Sequence, residues 1–526
     1  MKKVLYFISI FFFIFMSCQK NEHKEKRLRI CFNMDPKTLD SRKSGDLATS
    51  ATLFLLNSGL TEAQKDGSIT PALCYSYDIS LDKKTYVFHL KDATWSDGHP
   101  ITAKDFEKSW KKIIDPTFPS LCPQLFYPIK NAEKAAKGEV SLDEVGINAL
   151  DDKTLIVHLN NPTPYFLSLT SFCIYFPIPT HLEENSSTWD SFSDNNLVSS
   201  GPFLLKKWKK GSEMVLQKNP KFWNKDEIFL DEIHISIVDN ETTALQMYEN
   251  DELDWVGALL SPLPLDSIPT IIKSKECFKT PIGGASFCVF NTDIFPFNNK
   301  NIRKAFGLAI NREEIVNNIT QGGENIASRL IPPKMAKNRR DFFNDKDNEQ
   351  AKELFEKALL ELNIKKEDLN ITFSYGSNLL HKKQAEALQQ YWQNTFNIPI
   401  KLEMVEEKTF MDKIHKHKFQ AALSYLIVQY NDPMNIFDRF KNKSHSKNYP
   451  LYESETYQDL LNYSSSEIDE NKRELILEKA EEIILDDMPI SPIYHHNYIL
   501  LTKPYVKNLF VGPVGEVRFD KVYFKK

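Results

Sequence analysis

The sequence predicts a mixed α/β protein of several lobes that follows an N-terminal export signal. Three observations predict it. Short strands with period-two alternation and modest amphipathic helices intermix along the chain, without regular βα alternation. The roughly 500 residues beyond the signal are too many for a single core. The amino terminus itself reads as a targeting segment rather than a folded element.

Lys2 and Lys3 precede an apolar run from Val4 to Met16, broken by one Ser, and Ser17-Cys18 follows. A basic start, an apolar stretch and a small residue before the cut define a secretory signal. The run is shorter than the ~20 apolar residues of a membrane span. Phe15-Met16-Ser17-Cys18 resembles a bacterial lipobox, although such motifs usually carry Leu three residues before the Cys. Residues 1–17 are therefore read as a lipoprotein signal peptide, with Cys18 lipidated as the mature first residue. Residues 18–27 read as a tether, because Gln19 to Arg27 is polar and holds no aliphatic side chain. Ordinary cleavage beside an incidental Cys is the alternative.

The 71 acidic and 66 basic residues leave a net charge of −5, a balance that gives no support to a nucleic-acid partner. A second apolar stretch able to span a bilayer is absent from the sequence. Six cysteines follow Cys18: Cys31, Cys74, Cys122, Cys173, Cys277 and Cys288. They form no CxxC pair for zinc or redox chemistry. Cys277 and Cys288 flank Gly283-Gly284, so a hairpin disulfide is one reading and buried free thiols the other.

Thr85 to Leu90 alternates, with Tyr86, Phe88 and Leu90 on one face, which predicts a strand. Asp97-Gly98 predicts a turn. Thr102 with Asp105 three residues on predicts the start of a helix carrying Phe106, Trp110 and Ile113. Leu155 to Leu159 and Ile233 to Val238 are further strand candidates. The second half reads as more helical. Asn311 with Glu314 is a capping-box-like start. Ala351, Leu354, Phe355, Ala358, Leu359 and Leu362 form one apolar stripe, with Glu353 four residues before Lys357. Lys472 to Met488 is amphipathic and stops at Pro489.

Enzyme motifs are sparse. Ser80-Leu81-Asp82-Lys83, Ser109-Trp110-Lys111-Lys112 and Ser444-His445-Ser446-Lys447 spell SxxK, and Ser193-Asp194-Asn195 spells SDN. No KTG accompanies them, and SxxK recurs by chance in so Lys-rich a chain. HExxH and GxSxG are absent. His415-Lys416-His417 and His495-His496 are the residues a cation would use, but adjacent histidines on a strand point apart. No metal site and no cofactor is expected.

The stretch Pro71-Ala72-Leu73, Tyr86 to Leu90, and Trp95-Ser96-Asp97-Gly98-His99-Pro100-Ile101-Thr102-Ala103-Lys104-Asp105-Phe106 resembles the signature segment of the oligopeptide-binding proteins of ABC importers, extracellular solute-binding family 5. The similarity continues in order. It runs through Ala149 to Leu155, Pro164-Tyr165-Phe166, Ser200-Gly201-Pro202-Phe203 and Asn219 to Asn224. It goes on through Phe290-Asn291-Thr292, Asn301 to Phe306 and Tyr430-Asn431-Asp432-Pro433.

The resemblance implies a type II (cluster C) periplasmic-binding-protein-like fold, with two closing lobes plus an extra small domain. Residues 28–57, 195–283 and 497–526 would form lobe I, 58–194 lobe II and 284–496 lobe III. It implies a binder rather than an enzyme, monomeric, holding an oligopeptide between lobes I and III for the permease subunits of an ABC transporter. The chain would sit in the periplasm or at the cell surface, on a bacterial membrane through the lipid of Cys18. A non-peptide cargo such as a nickel chelate, haem or a cell-wall peptide is the alternative, and a secreted acyl-enzyme a more distant one.

Residue by residue, the family's ammonium-reading Asp corresponds to Gln429, its nearby Arg to Leu423, and a cleft Trp to Glu407. His381 is kept. Leu47, Tyr425, Ile427, Tyr430, Asn431 and Asp432 complete the ligand-contacting positions that the resemblance implies. A neutral amide cannot neutralise a buried ammonium. Glu406, Glu407 or Asp432 would then have to replace the lost charge, or the ligand would be blocked, short or not a simple peptide. Glu406 reads better as a solvated surface charge.

Overall fold

The computed structural model describes residues 26–184, 189–192, 197–335 and 340–525. Cys18, the signal, most of the tether and Ser193-Asp194-Asn195 lie outside these residues. Among the described residues no helix is long and apolar enough to cross a membrane.

An eleven-stranded mixed sheet organises the chain. From one edge, its strands are Ile400–Val405, Ile371–Gly376, Ala421–Ile427, Cys277–Phe290 and Ile490–Thr502, then Trp255–Gly257, Arg27–Phe32, Glu232–Ile237, Glu213–Lys218 and Phe203–Lys209. Asn325–Ile326 adds onto Ile490–Thr502. The two central strands are the longest, and they pair antiparallel along most of their length. Tyr498 and Leu500 pack in one core with Leu28, Ile30 and Phe203. At the other end Ile490 and Ile493 enter two further cores. These two strands therefore link otherwise separate packing units.

Beyond that link the sheet is buried on both faces. Cys288 and Phe290 enter a core with Phe306 and Trp392, whereas Phe287 and Val289 enter one with Ile436 and Leu477. Ala421 and Leu423 follow the first pair, Ala422 and Leu426 the second. Alternate residues thus face different helical layers, which is why Phe287 to Phe290 reads as an unbroken apolar run rather than as alternation.

A separate four-stranded sheet runs in the order Cys74–Ile79, Thr85–Leu90, Thr154–His158 and Ile147–Ala149. The expected strand at Thr85 has these bounds, with Tyr86, Phe88 and Leu90 buried. The helix Ala103–Ile114 starts as expected. Thr102 N–H donates to Asp105 Oδ2 at 2.9 Å, and Phe106 and Trp110 are fully buried. Trp110 Nε1 donates to the Tyr175 carbonyl at 2.8 Å, closing this core.

The other expected elements fall within two or three residues of their sequence bounds. They are the strands Thr154–His158 and Glu232–Ile237 and the helices Asn348–Leu362 and Glu470–Asp487. Asn311 does cap, its Oδ1 accepting Glu314 N–H at 3.1 Å. The single α-turn there widens into a π-helix over Ile315–Thr320.

The cysteines after Cys18 are all free thiols. Cys277 and Cys288 lie on one continuous strand, which places them roughly 30 Å apart or more at ~3.3 Å per residue. The disulfide reading is therefore corrected. Gly283-Gly284 marks a bulge rather than a hairpin, with the register shifting between Pro281 and Ala285. A Cβ on Gly283 would meet Val428 Cγ2 at 2.3 Å, and one on Gly284 would meet Ile427 Cδ1 at 2.7 Å. The pair is glycine because the neighbouring strand approaches so closely.

Candidate functional site

The strand Ala421–Ile427 carries Tyr425 opposite Ser286 and Ile427 opposite Gly284. Tyr425 is 50 % exposed, rare for so large an aromatic on an interior strand. Its ring centroid lies 6.2 Å from His381 on one side and 6.2 Å from His496 on the other. Ser286 Oγ, one strand over, lies 2.8 Å from His496 Nε2.

His381 sits in the first turn of the helix Leu379–Phe396, whose N-cap Asn378 accepts the His381 N–H at 2.8 Å. Asn378 Nδ2 then faces both His381 Nδ1 at 2.6 Å and Glu407 Oε1 at 2.9 Å. One amide nitrogen donating to both makes His381 Nδ1 an acceptor and leaves its proton on Nε2. Burial lowers the His381 pKa against the opposing pull of Glu407. Burial likewise drives His495 and His496 down to about 4. All three imidazoles are neutral at pH 7. His381, Tyr425 and His496 form an uncharged aromatic surface with Glu407, 47 % exposed, at its margin.

Beyond Ile427 the chain turns away from this surface, held by Arg439. Its Nη2 donates to the Ile427 carbonyl at 2.9 Å and to Asn435 Oδ1 at 3.2 Å. Gln429 N–H donates to the same Asn435 oxygen at 3.3 Å, and Gln429 Nε2 reaches Cys122 Sγ at 3.6 Å. Tyr430 is buried against the four-stranded module, its ring stacked on Tyr165 at 4.5 Å. Asp432 is buried and forms two 2.8 Å hydrogen bonds with Arg473. Glu406 caps the helix Glu407–His415 through Thr409 N–H at 3.0 Å.

The nine positions expected from the resemblance therefore divide. His381, Glu407 and Tyr425 converge, with Ile427 at the end of the same strand. Gln429 and Asn431 line a small cavity of about 30 Å³, room for little more than one water-sized group. Phe54, Gly67, Pro513 and Glu516 close it from the other sides. Tyr430 and Asp432 face packing interactions. Leu47 begins the helix Leu47–Leu56 and packs on the core of the strand Arg27–Phe32.

Sequence reasoning missed His496 as a cleft residue, having weighed it only as a metal ligand. It also missed Glu516 and Arg439. The Gly512-Pro513-Val514-Gly515 turn before Glu516 is the one signal that marks a special backbone there.

His415 and His417 do not converge. Their Nδ1 atoms meet the carbonyls of Met411 and Tyr449 at 2.7 and 3.1 Å. Asp97, His99 and His181 do meet, with Asp97 Oδ2 lying 2.7 Å from His181 Nε2 and 3.1 Å from His99 Nδ1. Those are hydrogen-bond lengths, and they satisfy the carboxylate without an ion.

A long strand pair joins the packing units beside this half-buried aromatic patch, an arrangement suited to holding a ligand. Comparison with known proteins agrees. Residues 68–448 match the model of the bacterial extracellular solute-binding proteins, family 5. The chain is 36 % identical to the oligopeptide-binding protein OppA of Bacillus subtilis over 96 % of its own length and 94 % of that protein's. It is 33 % identical to the dipeptide-binding protein DppE of the same organism, covering 96 % and 95 %. Among solved structures it resembles Haemophilus influenzae OppA in complex with RPPGFSPFR. That match has a TM-score of 0.82 and 27 % identity, covering 96 % of this chain and 99 % of that one. The chain belongs to solute-binding family 5, with the type II periplasmic-binding-protein fold, and it is not an enzyme.

Proposed function

We propose that this protein captures oligopeptides or peptide-like ligands between two lobes and delivers them to the permease of an ABC importer. The observation that carries the reading is the uncharged aromatic patch of half-buried His381 and His496 around exposed Tyr425, set beside the two strands that join the packing units. Neutral aromatic walls accept varied side chains, while hydrogen bonds to main chain supply affinity without sequence preference. The relative solved with RPPGFSPFR supports a peptide as ligand.

The lobe boundaries proposed are those set out from the sequence: 28–57, 195–283 and 497–526 for lobe I, 58–194 for lobe II and 284–496 for lobe III. The separate cores of the four-stranded module and of the two ends of the large sheet support them. Bending at the Gly283-Gly284 bulge would close lobe III on lobe I. The protein acts as a monomer, tethered to a bacterial membrane through Cys18, in the periplasm or at the cell surface. Small-angle scattering and thermal melting test this reading with a pool of short mixed-sequence peptides. A saturating pool should shrink the radius of gyration and raise Tm by mass action. Superimposable scattering curves with a tightly bound peptide would refute the enclosed site.

A further inference from the structure

Two buried polar atoms beside Gln429 have no hydrogen-bond partner among the described residues: Asn431 Oδ1 and Glu516 Oε2. Both residues line the cavity into which Gln429 also projects. Unpaired buried acceptors cost free energy, and a carboxylate costs the most. When Glu516 is ionised both atoms are acceptors, and whatever satisfies them then must bring donors.

Arg518, in the lining of the same cavity, and Lys334 both pull the Glu516 carboxyl down against the larger effect of burial, yet each hydrogen-bonds other groups. Arg518 Nη2 lies 2.9 Å from Asp520 Oδ2 and 3.3 Å from Glu62 Oε1. Lys334 Nζ donates to Thr280 Oγ1 at 3.2 Å. The tight turn before Glu516 offers backbone amides to the carboxylate, which leaves Oε2 as the open position.

We propose that Glu516, with Asn431 beside it, is the receptor for a primary ammonium group of the ligand. This rests on the peptide-binding reading above and assigns the charge that Gln429 does not supply. The geometry selects the chemistry. A guanidinium wants two free carboxylate oxygens for its fork, and here one is open. A calcium ion wants six to eight oxygens. A tetrahedral ammonium needs a few converging acceptors, with one charge among them. Burial pushes the Glu516 carboxyl up to about 7, so in the empty site it shares a proton that an incoming ammonium displaces.

The other acidic candidates are placed otherwise. Asp432 is held by Arg473, Glu406 caps a helix, and Glu407 is bound by Asn378 at the aromatic surface.

The test offers three pools of short mixed-sequence peptides to the full mature chain, with retained species weighed by mass spectrometry. One pool has free amino termini and no Lys, one is acetylated without Lys, and one is acetylated with Lys. Wild type should retain an amine-bearing pool over the fully blocked one by roughly tenfold or more, the scale of one charge-assisted hydrogen bond. Glu516→Gln should erase that ratio by weakening retention of the amine-bearing pools. Which amine-bearing pool is preferred identifies the amine as terminal or side-chain. Undiminished amine preference in Glu516→Gln, or none in wild type, overturns the assignment. Retention of no pool by wild type overturns the peptide reading instead. A readout independent of the variant is proton release by wild type just below the carboxyl pKa, measured calorimetrically in two buffers. Amine peptides should release a proton and blocked ones none, and equal release would also overturn the assignment.

Discussion

Asp432 and Arg473, forty-one positions apart, meet through two parallel hydrogen bonds of 2.8 Å, with both side chains about nine-tenths buried. Asp432 Oδ1 also accepts the Met434 N–H at 2.9 Å, so the pair fixes the loop that carries Gln429 and Asn431. Its role is to hold the site's frame.

Asp432→Asn therefore strands a buried guanidinium. It should lower stability by about 3–5 kcal/mol in denaturant unfolding. The ratio of free-amine to acetylated peptide affinity should not change, because the ammonium is read at Glu516. A variant of normal stability that loses the ratio would reverse these roles.

Tyr430 joins Gln429 in linking this loop to the four-stranded module, its ring stacked 14° from parallel on Tyr165. Tyr430→Ala should cost about 3–5 kcal/mol, the range for removing a buried aromatic. Tyr430→Phe keeps the stack and loses the hydroxyl interaction with Tyr165, so about 1 kcal/mol is expected. Equal losses in the two variants would show that the hydroxyl, not the ring, holds the contact.

The pH dependence of stability tests the state of Glu516. Its carboxyl sits at about 7 in the folded protein against an ordinary 4.5. Between those values the folded state keeps a proton that the unfolded chain has lost, so stability falls as pH rises through this window. Glu516→Gln should raise the melting temperature above pH 7, by up to about 3 kcal/mol in stability, and leave it unchanged below pH 4.5. A variant less stable at high pH would mean that the carboxylate is charged and paired.

Glu407→Gln is expected to leave amine preference intact. Its carboxylate binds the Asn378 amide beside His381, on the aromatic surface rather than in the cavity of Gln429. Calorimetric titration with matched free and acetylated peptides measures this. Gln429→Asp should strengthen free-amine peptides selectively, by placing a second carboxylate at the same cavity.

Much of the fold was legible where local chemistry dictates it. The alternation at Thr85 to Leu90 and the Thr102–Asp105 cap depend on residues within a few positions. The Cys277–Cys288 hairpin reading failed because Gly-Gly signals both a turn and a close approach between strands. Only the neighbouring strand at Ile427-Val428 decides between them. At the site, the departure at Gln429 was readable by resemblance, but its consequence was not. Asp432 is committed by Arg473, and Glu516 arrives from the turn at Pro513-Val514, so both facts depend on residues distant in sequence. His496 was visible only as one of two adjacent histidines, and the strand's alternation gives it and His495 different faces.

Membrane attachment has its own check. Cys18→Ala should release the protein from membranes or leave it unprocessed. A normally retained protein with a non-lipidated mature terminus would contradict the lipid anchor.

The most direct measurement is native mass spectrometry of the protein purified from its own host, with fragmentation of whatever is released. The account predicts mature protein carrying mass additions that sequence as short peptides, each with at least one free primary amine. Additions that contain no amide-linked residues, such as a metal chelate or a haem, would contradict it.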